Sequence, residues 1–364
     1  MRYIDFDVMI AKRCPNGSHR KGKNCYRLDE NGKMTDEVVC EAGLPDSFGS
    51  GSDVVASRKD NGFTKVKPDS EAGRLVSNLR YGRSDEAIAS RKALVDWAKE
   101  HGDTIPYVPV GRFKLNGKRF GKNVSSKDLY FREGRYSSRR TELHQQLTRE
   151  VTKNLSRPTD RRPIIVVMAG GTASGKSSAS KEIAESLGLT LPDRKSSETE
   201  SEYRMRVKDE MKDTLRDYTL DSDEIVPMLP EFDDYMKKDP LNAWHVFHKE
   251  ASDIMDDAIE YGIADGSDFV LQGTFSSDGA VQYAEYLAEK GTHDMIMIFV
   301  DTPSEKAMEY NYDRFVNGYG DGENDRIVPP SVVRATNEGA RDIFTNRGKR
   351  LDKIFKKRIH IVSE

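Results

Sequence analysis

The run Gly170-Gly171-Thr172-Ala173-Ser174-Gly175-Lys176-Ser177 constrains this chain more than any other stretch. It fits G-x-x-x-x-G-K-[ST] and stands in the setting that pattern requires, after a strand and before a helix. Residues 163–168, Pro-Ile-Ile-Val-Val-Met, read as the buried strand, and residues 177–187 read as the helix. Glycines let the backbone curl until successive N–H groups face one anion. The helix N-terminus adds positive potential. Lys176 suits the β- and γ-phosphates as a point charge, and the Ser177 hydroxyl suits Mg²⁺. ATP and Mg²⁺ are the expected ligands, held by residues Gly170 to Ser177 with Ser178 continuing the loop. Such a loop does not by itself separate a kinase from a hydrolase.

Beyond Arg161 the chain alternates short apolar strands with helices. Residues 218–220, 269–271, 295–300 and 359–362 read as further strands. A helix over about 242–262 carries Trp244, Phe247, Ala251, Ile254, Met255, Ala258 and Ile259 at helical spacing. This pattern predicts an α/β fold, a five-stranded parallel sheet flanked by helices. A charged insert over about 193–217 is expected outside the sheet, covering the crevice or meeting a partner.

Three features past the loop suit transfer to an acceptor hydroxyl rather than to water. Asp221 and Asp223 follow the second strand, at the end of the sheet where ligands bind. Asp223 is the expected base, with Asp221 second. Gln272-Gly273-Thr274-Phe275-Ser276-Ser277 turns small and polar directly after the third strand, as substrate contacts would. Arg314 and Arg326 bracket the glycine-rich residues 318–322, the composition of a lid closing on phosphates.

Residues 161–345 resemble the zeta-toxin family of P-loop kinases. The resemblance rests on the loop, on Asp221-Ser222-Asp223-Glu224, and on His248-Lys249-Glu250-Ala251-Ser252 leading to Gln272-Gly273-Thr274. It implies a kinase that phosphorylates a sugar hydroxyl of UDP-N-acetylglucosamine with ATP, and often a toxin held by an antitoxin. It further implies that Lys176 binds phosphate and Asp223 is the base. Glu250 and Thr274 would touch the acceptor, with Asp221, Gln272 and Ser276 beside them. Arg314 and Arg326 would stabilise the transferred group. Two positions depart from the family: Gln272 replaces an acidic residue, and Ser276 stands where toxins often carry arginine.

The first half of the chain is of another kind. Residues 1–72 are rich in Gly, Ser, Asp and Lys, with a linker-like run at 47–52, and are expected to be loosely ordered. Residues 73–159 read as a small basic region of helices and a hairpin. Ser84 caps a helix running to about His101, and Ile88, Leu94, Val95 and Ala98 share one face. Residues 107–120 read as a hairpin turning at Asn116-Gly117. Leu143, Leu147, Val151 and Leu155 repeat every fourth residue as a helix stripe. Residues 111–160 hold 13 Lys and Arg against five Asp and Glu. With the interleaved Phe and Tyr, that charge suits single-stranded nucleic acid or an acidic protein. The plainer expectation is a basic face docked on the acidic 193–240 region.

Cys14, His19, Cys25 and Cys40 match no compact zinc spacing, and an odd number of cysteines does not suggest a disulfide framework. The net charge of −3 gives no global argument for nucleic-acid binding. With no apolar run of membrane length and no signal core at Met1-Arg2-Tyr3, a soluble cytoplasmic protein is expected. Two rivals to a small-molecule kinase stay open: a kinase of a nucleoside or nucleic-acid hydroxyl, and a nucleotide-binding interaction or assembly protein.

Overall fold

Ile164–Ala169 is a run of β-branched and apolar residues, and it forms the middle strand of the sheet, with Ile165 to Ala169 buried. A computed structural model describes residues 63–121, 124–318 and 326–363, and three strands of the N-terminal region: Ser18–Lys21, Asn24–Leu28 and Met34–Val38. Those three pair antiparallel in a sheet of their own. The main sheet has five parallel strands in the order Thr219–Leu220, Phe269–Gln272, Ile164–Ala169, Asp294–Asp301, Lys357–Val362. Ile165 lies opposite Phe269 on one side and Met295 on the other. The α/β sheet is therefore as the alternation of strands and helices predicts.

Because side chains alternate across a strand, the middle strand feeds two cores. Ile165, Val167 and Ala169 face a core built largely from the Ala243–Asp265, Asp278–Glu289 and Pro330–Asn346 helices. Val166 and Met168 face a second core with Ala179, Ile183, Ala184 and Leu187. The charged insert lies over that second core. It folds as helices Glu200–Glu210 and Lys212–Tyr218, which bury Tyr203, Val207 and Leu215, while Arg204 pairs with Glu182 at 2.6 Å.

The N-terminal elements pack on the five-stranded-sheet half at two places. Ser84 Oγ accepts from the Ala87 N–H and starts the Asp85–Glu100 helix. Its Leu94, Val95 and Ala98 pack on Ala307, Met308 and Phe315 of the Ser304–Asn317 helix; Ile88 is only half-buried. Arg91 is buried with them and donates from Nε and Nη2 to the Val316 carbonyl at 3.2 and 2.9 Å. Further on, Phe113–Leu115 and Lys118–Phe120 form the hairpin. Asn116 and Gly117 both take positive φ, 46° and 75°, as a type I′ turn requires. Phe120 is fully buried against Tyr235 and Phe247.

Several expectations need correction. Tyr107 does not belong to the hairpin: Ile105–Tyr107 pairs in parallel with Phe63–Lys65. Pro109 lacks the N–H that would carry the ladder onward. Ordered packing begins before residue 73, with Phe63–Lys65 and with the Glu71–Ser77 helix capped by Ser70. The Ser138–Thr152 helix ends before Leu155, and its inner face is as polar as it is apolar, with Arg140, His144 and Thr148 buried beside Leu147. The linker-like run 47–52, Cys14 and Cys40 lie outside the described residues. Among the described residues no group of three or more His, Cys, Asp or Glu is placed to hold a metal. Nor is any helix there long and apolar enough to cross a membrane.

The hairpin belongs to the same core as the sheet if Phe120 carries the contact. Phe120→Ala is then expected to lower unfolding free energy by about 3–5 kcal/mol. Denaturant unfolding followed by far-UV circular dichroism measures this, and a loss below about 1 kcal/mol would contradict the shared core.

Candidate active site

The loop after the middle strand is fixed at both ends and in its middle. Gly170 donates its N–H to the Thr274 carbonyl at 3.2 Å. Thr302 Oγ1 donates to the Ser174 carbonyl at 2.7 Å. The Thr172 N–H donates to Thr336 Oγ1 at 3.0 Å, and Asn337 Nδ2 donates to the Thr172 carbonyl at 2.9 Å. A Cβ on Gly171 would stand 2.5 Å from the Asn337 backbone, so only glycine fits there. Ala173 and Gly175 take positive φ, 59° and 74°, turning the chain tightly around Lys176. Lys176 Nζ donates to the Gly170 and Gly171 carbonyls at 3.0 and 3.1 Å. A short 3-10 turn, Lys176–Ala179, precedes the Ser180–Leu187 helix, where the sequence predicts one helix from 177.

The loop forms one wall of a cavity of about 800 Å³. Thr172, Ala173, Ser174, Gly175, Lys176, Ser177 and Ser178 line it, together with Asp221, Asp223, Gln272, Thr274, Arg314 and Arg326. The structure thus brings together the phosphate loop, both aspartates and both arginines. Residues 319–325, which hold most of the expected lid, lie outside the described residues.

Asp221 and Asp223 sit in one turn and differ in character. Asp221 caps the short Ser222–Ile225 helix by accepting from the Asp223 N–H at 2.9 Å. Its other oxygen accepts from Gln272 Nε2 at 2.6 Å. A carboxylate at 272 would set two negative charges at that separation; the amide donates instead. Burial first, and then the charge of Asp223, push the Asp221 carboxyl up to about 7. Burial also presses upward on Asp223, but Arg326, His248 and Arg314 outweigh it and hold the group below its ordinary range. Arg326 forms a two-pronged ion pair with Asp223, and its guanidinium lies over the Trp244 ring at 4.8 Å. Lys176 is lowered to about 8, by burial above all and against the pull of Asp221 and Asp223.

Ser177 Oγ and the two aspartates are all oxygen donors, and a small hard cation prefers such ligands. A buried carboxyl raised as far as Asp221 is short of positive charge, and this chemistry fits Mg²⁺.

Two expected contacts fall elsewhere. Glu250 does not line the cavity. It is fully buried on the other side of its helix, where Arg140 donates Nε at 2.5 Å and Nη2 at 3.0 Å, and His144 Nε2 lies at 2.8 Å. A carboxylate so enclosed cannot touch a substrate. Ser276 is also outside the lining, with its Oγ 3.0 Å from Thr274 Oγ1. The basic segment docks on Glu231, Glu250 and Asp253, so its partners lie mostly past the expected 193–240 region.

Sequence reasoning missed the opposite wall, which includes Phe63, Leu241, Trp244, His245 and His248. Trp244 counts as helix core by spacing, and it is indeed only 6 % exposed. It missed strain as well. Phe275, beside Thr274, has φ 50° and is buried against Phe355. Positive φ in a bulky residue costs about 1–3 kcal/mol and clusters at functional sites.

Residues 201–361 match the family model described as Zeta toxin. Residues 201–361 are thus similar to zeta toxins. The match covers less than half of the whole chain, and the phosphate loop precedes it. A solved structure of the PezAT chromosomal toxin–antitoxin system of Streptococcus pneumoniae aligns with 63 % of this chain and 79 % of its own, at 12 % identity and TM-score 0.42. The AvrRxo1-ORF1:-ORF2 complex with ATP aligns with 60 % of each chain, at 17 % identity and TM-score 0.42. Its form with sulphate ions covers 60 % and 61 %, at TM-score 0.41. A comparison with curated proteins gave no match.

The cavity carries a pH signature. With its folded-state value near 7 and an ordinary unfolded value near 3.8, Asp221 favours folding most below pH 4. That contribution is lost progressively as pH rises, and is gone above about 7. Asp221→Asn removes this loss. The melting temperature of the wild type relative to Asp221→Asn is therefore expected to fall from pH 5 to pH 7.5 and then level off. A difference that stays flat across this range would contradict the burial of the charge.

Proposed function

We propose that this chain is an ATP-dependent kinase that phosphorylates a hydroxyl of a nucleotide sugar of the UDP-N-acetylglucosamine type. The observation that carries this reading is the single cavity that holds Lys176, Asp223, Arg314 and Arg326. The likeness of residues 201–361 to zeta toxins supports the acceptor class. On the same likeness, a protein antitoxin is the proposed partner.

The loop and Lys176 bind the triphosphate, with Thr274 and Gln272 on the acceptor side. Ser177 would hold Mg²⁺, which would supply charge neutralisation to the phosphates. Asp223 accepts the proton of the acceptor hydroxyl, that oxygen bonds to the γ-phosphorus, and the bond to the ADP oxygen breaks. Before ATP arrives, Arg326 occupies Asp223 and the face of Trp244. The γ-phosphate, a denser anion than a carboxylate, draws Arg326 and Arg314 to itself. That movement frees the base, so it is ready only when ATP is in place. Little covalent chemistry falls to the protein; orientation and electrostatics set the rate.

A nucleic-acid acceptor is less well supported, because Arg140 and Lys127 of the basic segment pair with carboxylates of the same chain.

The test is transfer from γ-labelled ATP with Mg²⁺ to UDP-N-acetylglucosamine, nucleosides and oligonucleotides. Label is expected on the nucleotide sugar. Asp223→Asn should cut it by about 10²–10⁴-fold with ATP still bound, and Lys176→Ala should weaken ATP binding itself. Label on a nucleoside or oligonucleotide instead would replace the acceptor. Absence of label everywhere, with ATP bound, would overturn the kinase reading in favour of a nucleotide-binding assembly protein.

A further inference from the structure

We infer that Arg140 is a positioning residue for phosphoryl transfer, setting the distance between the base and the acceptor wall from outside the cavity. The inference rests on the kinase reading above.

Arg140, on the Ser138–Thr152 helix, is 5 % exposed and grips two carboxylates at once. Its Nη1 and Nη2 donate to Glu231 at 3.1 and 3.0 Å, and its Nε and Nη2 donate to Glu250 at 2.5 and 3.0 Å. Tyr130 lies beneath the guanidinium at 3.9 Å and donates its hydroxyl to Glu231 at 2.7 Å. Asn116 and His144 add contacts to Glu231 and Glu250. Every partner of the two glutamates named here therefore comes from residues 116–144.

The two glutamates belong to the segments that carry the base, Asp223, and the cavity wall of Trp244 and His248, taken here as the acceptor wall. Glu231 follows Asp223 through the turns at Ser222–Ile225 and Val226–Met228. Glu250 lies six residues past Trp244 and two past His248 on the Ala243–Asp265 helix, turned away from the cavity. These segments pack on each other through Phe232 against Trp244 and Phe247 and through Tyr235 against Phe247, and at the cavity Ser222 Oγ stands 3.4 Å from His248 Nε2. Behind the cavity, the Arg140 guanidinium adds a polar bridge between one carboxylate of each segment. The hairpin and the Ser138–Thr152 helix agree, since Phe120 of the one and Leu147 of the other share a core with Phe232, Tyr235, Trp244 and Phe247. The helix after the phosphate loop lies in the separate second core, which holds none of the described residues of 116–152. A fault at Arg140 should therefore reach Asp223 and the acceptor wall, and spare the nucleotide.

The experiment uses Arg140→Lys in the full chain, which keeps the charge but cannot hold two carboxylates in parallel. Three quantities are read: affinity for Mg²⁺ with a non-hydrolysable ATP analogue, kcat and acceptor KM for UDP-N-acetylglucosamine, and amide hydrogen exchange. Expected are a drop of about tenfold or more in kcat/KM for the acceptor, nucleotide affinity within about twofold, and faster exchange at 222–236 and 243–250 but not at 176–187. Tyr130→Phe, which removes one bond to Glu231, should shift the same quantities less, and it serves if the lysine variant does not fold. Unchanged kcat/KM in a folded variant, or nucleotide affinity falling in parallel, would overturn the positioning role. If the wild type phosphorylates no acceptor, the kinase reading fails separately. The exchange pattern then decides the clamp alone, and uniform exchange across both regions would overturn it.

Discussion

The middle strand, apolar on both faces, is the constraint on which the other features depend. It can be satisfied only by covering both sides of the sheet, and the two coverings differ in origin. One is local: the helix after the phosphate loop and the insert that follows it. The other draws in the Ala243–Asp265 helix and, behind it, the N-terminal hairpin. The cavity opens where the strand ends and the two coverings part. The helix after the phosphate loop and the Ala243–Asp265 helix are thus built on different cores that share one strand.

The parts that were legible in the sequence have a local cause. Residues 170–177 must curl because their glycines permit it and their flanks demand a strand and a helix. Asn116-Gly117 must turn, and Ser84 must cap. The parts that were not legible depend on the company a residue keeps in three dimensions. Glu250 looks the same in sequence whether it faces a substrate or an arginine 110 positions earlier. Its enclosure could be suspected only from the polar inner face of the Ser138–Thr152 helix, where Arg140 and His144 share the apolar stripe. Trp244 has the spacing of a core residue and is one; that its edge also borders the cavity follows from where the sheet ends.

Gln272 illustrates how one atom type alters a site. An acid at this position would compete with Asp221 for cations and protons. The amide gives Asp221 a donor and leaves it the more basic of the two aspartates. Asp223, tied to Arg326, is then the one that stays ionised. The division of labour between two carboxylates two residues apart follows from their neighbours rather than from their own chemistry.

The balance of charge in the cavity has a consequence for encounter. The chain as a whole is slightly acidic, at −3, yet the cavity sets Lys176, Arg314 and Arg326 against two aspartates, one of them readily protonated. Lys208 and Lys212 of the insert add to the rim, against Asp209. A polyanion drifting past would be repelled weakly by most of the surface and drawn in at one place, where low-dielectric walls concentrate the field. Inorganic phosphate and sulphate would feel the same pull, so the resting protein in an anion-rich medium would meet its substrates as a competitor meets an occupied seat.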